Sequence, residues 1–228
     1  MSEHDHDHGH GHGHTHGTTP TPSDDDDVFE PSGWEKRYTG DAPVWSGRAN
    51  AQLVAEVTGL TPGTALDVGC GEGGDVIWLA QQGWQVTGAD FAAAGLARAA
   101  RNAEGAGVAD RIDWWQVDAR TFDAGGRTWD LVTTHFLHPP DAGMADVVRR
   151  LVTAVAPGGH LLVVGHAPSE LHGAMSAAKR RAMFLAEDLL PALPAELEAL
   201  VVEQRPRTAT HDGQEFEVHD STLLARRR

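Results

Sequence analysis

The sequence predicts an α/β fold in which helices cover both faces of a mostly parallel sheet. Short apolar segments alternate with segments of helical periodicity between residues 51 and 165. The first apolar segment, residues 64–68, ends at the glycine run Gly69-x-Gly71-x-Gly73-Gly74, after which the chain restarts as a helix. A glycine turn of this kind lets the backbone approach a ligand and leaves unpaired N–H groups at the helix start. We therefore expect a doubly wound, Rossmann-like sheet with a ligand site at this turn.

Composition divides the 228-residue chain into a tail and one globular domain. Residues 1–30 hold eight acidic residues and no Lys or Arg, so removing their −8 from the net charge of −15 leaves −7 on the remainder. We expect a disordered His- and Asp-rich tail over residues 1–27 and a folded domain over residues 28–228. A mildly acidic domain lacks the basic face that nucleic-acid binding needs.

The sequence also predicts where the protein resides. No apolar run has the length of a membrane span, and residues 1–30 contain no hydrophobic signal core. The single cysteine, Cys70, excludes an internal disulfide, as expected of a reducing cytoplasm. We expect a cytoplasmic monomer or weak dimer that binds neither nucleic acid nor membrane.

Histidine occupies every second position of the tail from residue 4 to residue 16. Imidazoles, helped by Asp5 and Asp7, favour Zn²⁺, Ni²⁺ or Cu²⁺. The tail is either a metal-binding segment or a solvated one with incidental metal affinity, and the sequence leaves both interpretations open. The candidate ligands are His4, His6, His8, His10, His12, His14 and His16.

Two cofactors are compatible with the glycine turn. Gly69, Gly71 and Gly74 satisfy G-x-G-x-x-G, and Asp90 follows about twenty residues later, as in dinucleotide-binding folds. Asp67, however, places a carboxylate where a pyrophosphate would be repelled. The same carboxylate attracts the ammonium and sulfonium of S-adenosylmethionine. The electrostatics favour S-adenosylmethionine, with an NAD-dependent oxidoreductase as the alternative.

The stretch from Asp67 to Gly73, Asp-Val-Gly-Cys-Gly-Glu-Gly, resembles the first motif of class I S-adenosylmethionine-dependent methyltransferases. Acids also lie at the ends of the next two predicted strands, Asp90 and Asp118, and carboxylates are costly at such places unless paired or bound. Asp90 suits the ribose hydroxyls, and Phe91 could cover the adenine. The resemblance implies that Asp118 and Ala119 bind the adenine edge. The expected cofactor-binding residues are Tyr38, Trp45, Asp67, Gly69, Cys70, Gly71, Gly73, Asp90, Phe91, Asp118, Ala119 and Thr134.

The segment from residue 28 to residue 50 is polar yet rich in aromatic residues. Large aromatics in a stretch without periodicity indicate a loop that packs on the domain. The strings Trp34-Glu-Lys-Arg-Tyr38 and Val44-Trp45 resemble the entry segment of the tellurite-resistance and thiopurine methyltransferases. This resemblance implies an arm that closes over the cofactor, with Tyr38 and Trp45 in the pocket; mere cover for the edge of the core is the alternative.

The remaining elements follow from periodicity. Helices are predicted over residues 51–58, 75–82 and 92–101, then from a cap at Asp141 to residue 155, and over residues 174–190. Strands are predicted over residues 64–68, 86–90, 112–119, 129–134, 160–165, 197–205 and 215–225. The Asp212-Gly213 turn would join the last two into an antiparallel pair. Such a pair is expected of class I methyltransferases and not of dinucleotide dehydrogenases.

His135 follows the fourth predicted strand, where the acceptor should meet the methyl group. Its ordinary pKa suits a general base, although a pocket-lining histidine without proton transfer is equally compatible with the sequence. We expect an enzyme that methylates a small-molecule acceptor, preferably a thiol or chalcogen, whose conjugate base is accessible near neutral pH. The alternatives are the oxidoreductase and a metal sensor acting through its tail.

Overall fold

A computed structural model describes residues 29–141, 143–168, 176–211 and 214–228. The predicted tail, with the candidate metal ligands His4 to His16, lies outside the described residues. Within those residues the helices are α1 (Pro31–Tyr38), α2 (Ala51–Val57), α3 (Gly74–Gln81), α4 (Ala93–Gly105), α5 (Met144–Leu151) and α6 (Ala177–Ala182). Short 3₁₀ turns occupy Ala109–Arg111, Ala119–Thr121, Val152–Ala154 and Ala186–Ala192.

The described strands are β1 (Thr64–Val68), β2 (Gln85–Asp90), β3 (Ile112–Gln116), β4 (Trp129–His135), β5 (Val155–His166), β6 (Leu197–His211) and β7 (Gln214–Arg227). They form a seven-stranded sheet in the order β3-β2-β1-β4-β5-β7-β6. The first five strands pair in parallel, whereas β7 runs antiparallel to both β5 and β6. The predicted doubly wound sheet with an antiparallel end is confirmed.

Alternation along the strands divides the core into two apolar layers, one on each face of the sheet. On β1, Leu66 and Val68 pack in the layer under α5, whereas Ala65 packs in the layer under α2 and α3. Helix α5 illustrates why the helical segments of this chain form helices: its buried residues recur at the spacing that places them on one face of a helix. They are Met144, Val147, Val148 and Leu151.

The sheet order reverses between β1 and β4, which lie side by side although β2 and β3 intervene in sequence. Parallel strands bring their carboxyl ends to one edge, and a crevice forms where the order reverses. The turn after β1 and the residues after β4 therefore meet at one place. Among the described residues, no helix is long and apolar enough to cross a membrane.

The predicted single helix over residues 174–190 is wrong. Helix α6 ends at Ala182, and Met183 and Leu185 have extended backbone before the 3₁₀ turn that contains Pro191. The amide of Phe184 donates to the carbonyl of His166, and the Phe184 ring is buried in the core. These tertiary contacts override the helical propensity of an Ala-rich segment.

Two further predictions need correction. Asp141 does not cap α5, because the cap position is Gly143 and Asp141 itself has a φ of +55°. The aromatic segment is not all loop, because it contains α1, which begins at Pro31 and buries Tyr38. Proline is favoured at the first helical position, since its missing N–H would be unpaired there anyway. Strand β3 also ends at Gln116, so Asp118 follows the strand.

Candidate cofactor and acceptor site

A cavity of about 860 Å³ lies at the carboxyl edge of the sheet. This volume is within the range of small-molecule sites. The predicted site residues that line it are Tyr38, Trp45, Gly69, Cys70, Asp90, Phe91, Asp118, Ala119 and His135. The predicted residues Asp67, Gly71, Gly73 and Thr134 are not among the lining residues, and Asp67 and Thr134 are buried.

The glycine turn is held tightly against the neighbouring strand. The amides of Gly69 and Cys70 both donate to the carbonyl of Ala89, at 2.7 and 3.0 Å. Gly71 has a φ of +52°, and a Cβ atom there would lie 2.8 Å from the hydroxyl oxygen of Tyr38. Only glycine meets both requirements, so Gly71 lets the arm approach the turn.

Asp90 joins the end of β2 to the glycine turn. Its Oδ2 accepts from the Gly71 amide and its Oδ1 from the Ala92 amide, each at 2.9 Å. Burial raises the pKa of Asp90, and the hydrogen bonds from these amides oppose that rise in part. Each carboxylate oxygen has a second lone pair, so the side chain can still accept from a ligand in the cavity.

Asp118 follows β3 and is engaged by Arg120. The carboxylate accepts from the Arg120 amide, from Nε, and from Nη2 at 2.7 Å. Burial opposes ionisation of Asp118, but the bonds from Arg120 outweigh it and lower its pKa. Asp118 therefore faces the cavity as a carboxylate. The adjoining Ala119 is buried at the cavity wall.

The arm covers the glycine turn with stacked aromatic rings. The Trp34 ring stacks on both Tyr38 and Trp45, with centroids 5.6 Å apart in each pair. The Trp45 indole donates to the Tyr38 hydroxyl oxygen at 3.1 Å. Tyr38 is buried, whereas Trp45 is half exposed. The two predicted pocket aromatics therefore form one unit at the mouth of the cavity.

Carboxylates that the sequence reasoning did not identify fasten this arm. Glu72, inside the glycine run, accepts from the amides of Val44 and Trp45 at 3.0 to 3.1 Å. Arg98 of α4 pairs with Glu72 at 2.5 Å and donates to the Ala42 carbonyl at 2.7 Å. In the sequence, only the presence of a large acidic residue within a glycine run could have pointed to Glu72, because a tight turn does not itself require an acid.

Glu35 of α1 provides a second attachment. Its carboxylate accepts from the Ala94 amide of α4 at 3.1 Å, near the start of that helix. The α4 cap residue, Ala92, makes no side-chain cap. A carboxylate from another segment therefore replaces the usual cap, where negative charge also meets the positive end of the helix dipole.

His135 lies between two carboxylates at the end of β4. Its Nδ1 is 2.9 Å from Asp75 Oδ2 and 3.6 Å from Asp67 Oδ1. Asp67 also accepts from the Thr133 hydroxyl at 2.9 Å, and Asp75 accepts from the Asn50 amide at 2.6 Å. Asp67 and His135 were identified from the sequence, but Asp75 was missed. Its position in the first turn of the helix after the glycines was the feature that could have pointed to it.

Charge governs the protonation of this cluster. Burial alone would lower the pKa of His135, but Asp75 and Asp67 outweigh it and raise the pKa to about 10. Burial raises the pKa of Asp67, while for Asp75 the attraction of His135 outweighs burial and lowers the pKa. His135 is therefore an imidazolium at neutral pH, paired with the carboxylate of Asp75.

The residues present fit a cationic adenosyl cofactor. The carboxyl groups of Asp67, Asp75 and Asp90 near the glycine turn outnumber the single imidazolium of His135, an arrangement that suits an ammonium and a sulfonium better than a pyrophosphate. Both ring nitrogens of His135 and the hydroxyl of Thr134 are buried without a hydrogen bond in the described structure, although Nδ1 lies within ion-pair distance of Asp75 and Asp67. Buried polar atoms without partners are costly and commonly mark a ligand-binding site.

Comparison with known proteins agrees with this chemistry. Residues 65–159 match the family described as "Methyltransferase domain". The ribosomal RNA small subunit methyltransferase C of Alcanivorax borkumensis is 32% identical over 109 residues, which make up 46% of this chain and 33% of that protein. The ubiquinone biosynthesis O-methyltransferase of a Methylobacterium species is 38% identical over 96 residues, 42% of this chain and 38% of that protein. The chain thus matches less than half the length of these curated relatives.

A solved structure supports the fold over a longer range. TehB from Haemophilus influenzae superimposes with a TM-score of 0.63 at 18% identity, covering 87% of this chain and 67% of that one. At this identity the likeness concerns the fold alone. The match to the methyltransferase-domain family spans residues 65–159, and the sheet order of the described strands is compatible with it.

Proposed function

We propose that this protein transfers the methyl group of S-adenosylmethionine to a small-molecule acceptor with a thiol- or chalcogen-type nucleophile. The observation that carries the proposal is the set of carboxylates at the glycine turn, Asp67, Asp75 and Asp90. A cationic donor is attracted by this set, whereas NAD would bring its pyrophosphate against it. The antiparallel β7 also follows the methyltransferase pattern.

The proposed cofactor contacts follow the edge of the sheet. Asp90 receives the ribose hydroxyls, and Phe91, Asp118 and Ala119 surround the adenine. The turn from Gly69 through Cys70 and Gly71 to Gly73 carries the methionyl end, with Asp67 and Thr134 beneath it. Tyr38 and Trp45 cover the turn, as in the tellurite-resistance and thiopurine methyltransferases that the arm resembles.

When bound, S-adenosylmethionine supplies a methyl group on a positively charged sulfur: the acceptor's lone pair forms the new bond to carbon, and the carbon–sulfur electron pair stays on sulfur. The chain's own contribution is to align the two molecules and exclude water. Alignment of this kind can lower a barrier by about 7–11 kcal/mol. The stacked arm fits the second task, because its aromatic rings line the cavity beside the glycine turn.

The sequence makes His135 a candidate general base, but its surroundings favour a different role. A histidine whose pKa is raised to about 10 already holds a proton at neutral pH. In our proposal the imidazolium instead offers its buried Nε2–H toward the methionyl carboxylate, while Asp75 fixes the ring. An acceptor that ionises readily fits a site with this histidine, since it needs little help in losing a proton.

A small acceptor is favoured over RNA. The relative named as a ribosomal RNA methyltransferase shares only part of its length with this chain. Outside residues 1–30 the formal charge is −7, the opposite of the basic face that RNA requires. A cavity of about 860 Å³ with Trp34, Tyr38 and Trp45 among its lining residues suits a small molecule.

The test is cofactor affinity in Asp90→Asn, measured by calorimetry with S-adenosylmethionine. Losing charge-assisted hydrogen bonds should weaken binding about 10–100-fold. Asp113→Asn, an exposed change on the adjacent β3, serves as the control and should bind like the wild type. Unchanged affinity in Asp90→Asn would contradict the ribose placement, and tighter binding of NAD than of S-adenosylmethionine would contradict the proposed function.

A further inference from the structure

One wall of the cavity is not used by the proposed cofactor contacts. It consists of Phe136, His138, His166, Arg207 and Asp220, which come from the loop after β4 and from β5, β6 and β7. Phe136 follows His135 directly, so this wall lies where an acceptor would approach the methyl group. The charges and hydrogen-bond donors of this wall therefore indicate which class of acceptor the site can bind.

Phe136 is fixed in an unusual backbone conformation. Its φ is +52°, a region that residues with bulky side chains rarely adopt. Its amide donates to the Val164 carbonyl at 2.8 Å, and its carbonyl is 2.9 Å from His138 Nδ1. The Phe136 ring lies 4.5 Å from the His166 ring and 5.6 Å from the Arg207 guanidinium. Strain of this kind concentrates at functional sites, where the surroundings enforce it.

The hydrogen bonds decide which histidine nitrogens carry protons. Arginine only donates, so the 3.1 Å contact from Arg207 Nη2 requires His166 Nδ1 to be an acceptor without a proton. The His166 amide donates to His138 Nε2 at 3.0 Å, so that nitrogen has no proton either. The proton of His138 is then on Nδ1, which donates to the Phe136 carbonyl. In these hydrogen bonds the acceptor lone pair of each imidazole is already engaged.

The other titratable groups of the described lining are also engaged. His135 is protonated between Asp67 and Asp75, and Asp90 accepts two amides. Burial raises the pKa values of the Tyr38 hydroxyl and the Cys70 thiol, so both keep their protons at neutral pH. Asp118 is bound by Arg120, Glu72 by Arg98, and Lys179 is a cation that also lines the cavity. In this part of the chain, no histidine is placed to remove a proton from the acceptor.

Arg207 supplies the positive charge of the wall. Its Nε donates to Asp220 Oδ1 at 2.7 Å, and Asp220 is buried. This bond and the contact with His166 fix the plane of the guanidinium beside the Phe136 ring. A fixed guanidinium recognises anions through paired N–H groups, which a mobile ammonium does not reproduce. Asp220 is accordingly a positioning residue for Arg207.

We propose that the acceptor binds as an anion on Arg207, against the Phe136 and His166 rings, and is methylated without transferring a proton to a histidine. This inference rests on the proposed function, because it assigns the acceptor class of the same site. The anion's lone pair forms the bond to the methyl carbon while the carbon–sulfur bond breaks, and its electron pair remains on sulfur. One negative and one positive charge are consumed, so no proton needs to move.

Two probes of similar shape test this inference by calorimetry on the protein saturated with S-adenosylhomocysteine at pH 8. Benzenethiol is an anion at this pH, whereas phenol is neutral. We expect benzenethiol to bind about 10–100-fold more tightly than phenol, the range for a charge-assisted contact. Equal binding of the two probes, or binding of neither by a protein that does bind S-adenosylhomocysteine, overturns the inference. Failure to bind S-adenosylhomocysteine itself is the separate result that counts against the proposed function.

Variants assign the preference to Arg207. Arg207→Met should abolish the preference for benzenethiol, whereas Arg149→Met, an exposed arginine of α5, should retain it. Since Arg207→Met leaves the buried Asp220 without its partner, the double variant Arg207→Met/Asp220→Asn removes both charges and protects the fold. A preference that survives in the double variant overturns the assignment.

A kinetic readout separates proton transfer from binding. With benzenethiol and phenylmethanethiol as acceptors, kcat/KM should rise with pH to a plateau at each thiol's own pKa. A histidine acting as base would instead give both acceptors the same inflection, set by the enzyme. A shared inflection that disappears in a His135, His138 or His166 variant would overturn the inference.

Discussion

The imidazole of His135 lies 2.9 Å from Oδ2 of Asp75 and thereby connects the end of β4 to the first turn of α3. The same Asp75 carboxylate accepts the Asn50 amide, at the cap of α2. One partly buried acid thus joins three elements around the glycine turn. We expect both the stability of the domain and the shape of the proposed methionyl subsite to depend on this contact.

Asp75→Asn tests how much the contact contributes. The substitution keeps an oxygen for the Asn50 amide but leaves the buried His135 with less compensating charge. Breaking a buried ion pair in this way costs about 3–5 kcal/mol, and we expect a loss of this order in urea unfolding. The matched control is Asp146→Asn, whose pair with Arg149 is exposed and should change stability by less than about 0.5 kcal/mol. Equal losses in the two variants would show that the His135 contact is not stabilising.

The raised pKa of His135 predicts a pH dependence of stability. Because the carboxylates raise it from 6.5 to about 10 in the folded protein, the imidazolium contributes its full stabilisation below pH 6.5. The contribution declines as the pH rises and is lost above about 10. Unfolding free energies measured from pH 6 to pH 10 should therefore fall, and His135→Gln should flatten the slope in this window. A slope that is identical in the wild type and His135→Gln contradicts the assignment.

The fold could be predicted because its evidence is local. Each parallel strand is a short apolar run, and the glycine turn after Val68 marks the one connection at which the ligand site must form. The antiparallel pairing of β6 and β7 was likewise predicted from a local feature, the Asp-Gly turn signal between two predicted strands. Residues 174–190 resisted prediction, because a bond from Phe184 to His166, far away in sequence, ends the helix that their composition favours.

Site residues could be predicted from the sequence only where an ionisable residue lies at the end of a predicted strand. Asp67, Asp90 and Asp118 could be found from their positions after apolar runs, and the structure brings Asp90 and Asp118 to the cavity while burying Asp67 beside His135. Glu72, Asp75, Arg207 and Asp220 act through partners that are distant in sequence, so periodicity gave no indication of them. Long-range pairing of charges is a property of the folded state.

Gly71→Ala tests the approach of the arm to the glycine turn. A new Cβ would lie 2.8 Å from the Tyr38 hydroxyl and 3.2 Å from the Trp45 indole nitrogen. Gly107→Ala is the matched control, because Gly107 also has a positive φ of 69° but nothing within 4 Å of its Cβ position. In both variants the free energy of unfolding should fall by about 1–2 kcal/mol because of backbone strain. Only Gly71→Ala should also weaken S-adenosylmethionine binding, by about 10-fold or more if one charge-assisted contact is lost. Equal affinities of Gly71→Ala and Gly107→Ala for S-adenosylmethionine in calorimetry would show that the position of the arm does not affect cofactor binding.

Glu72→Gln tests whether one carboxylate fastens the arm. The variant keeps an oxygen for the Val44 and Trp45 amides but removes the charge that Arg98 pairs with, and it turns N–H groups toward the same donors. Losing a charged hydrogen bond should open the arm about 10–100-fold more often, which is measurable as faster hydrogen exchange at the Val44 and Trp45 amides. Glu104→Gln, at an exposed position in α4, provides the matched control and should leave those rates unchanged.

Binding of S-adenosylmethionine should weaken in Glu72→Gln because an open arm must be ordered again when the cofactor binds. Exchange rates equal to those of the wild type would mean that the stacked rings of Trp34, Tyr38 and Trp45 hold the arm without Glu72.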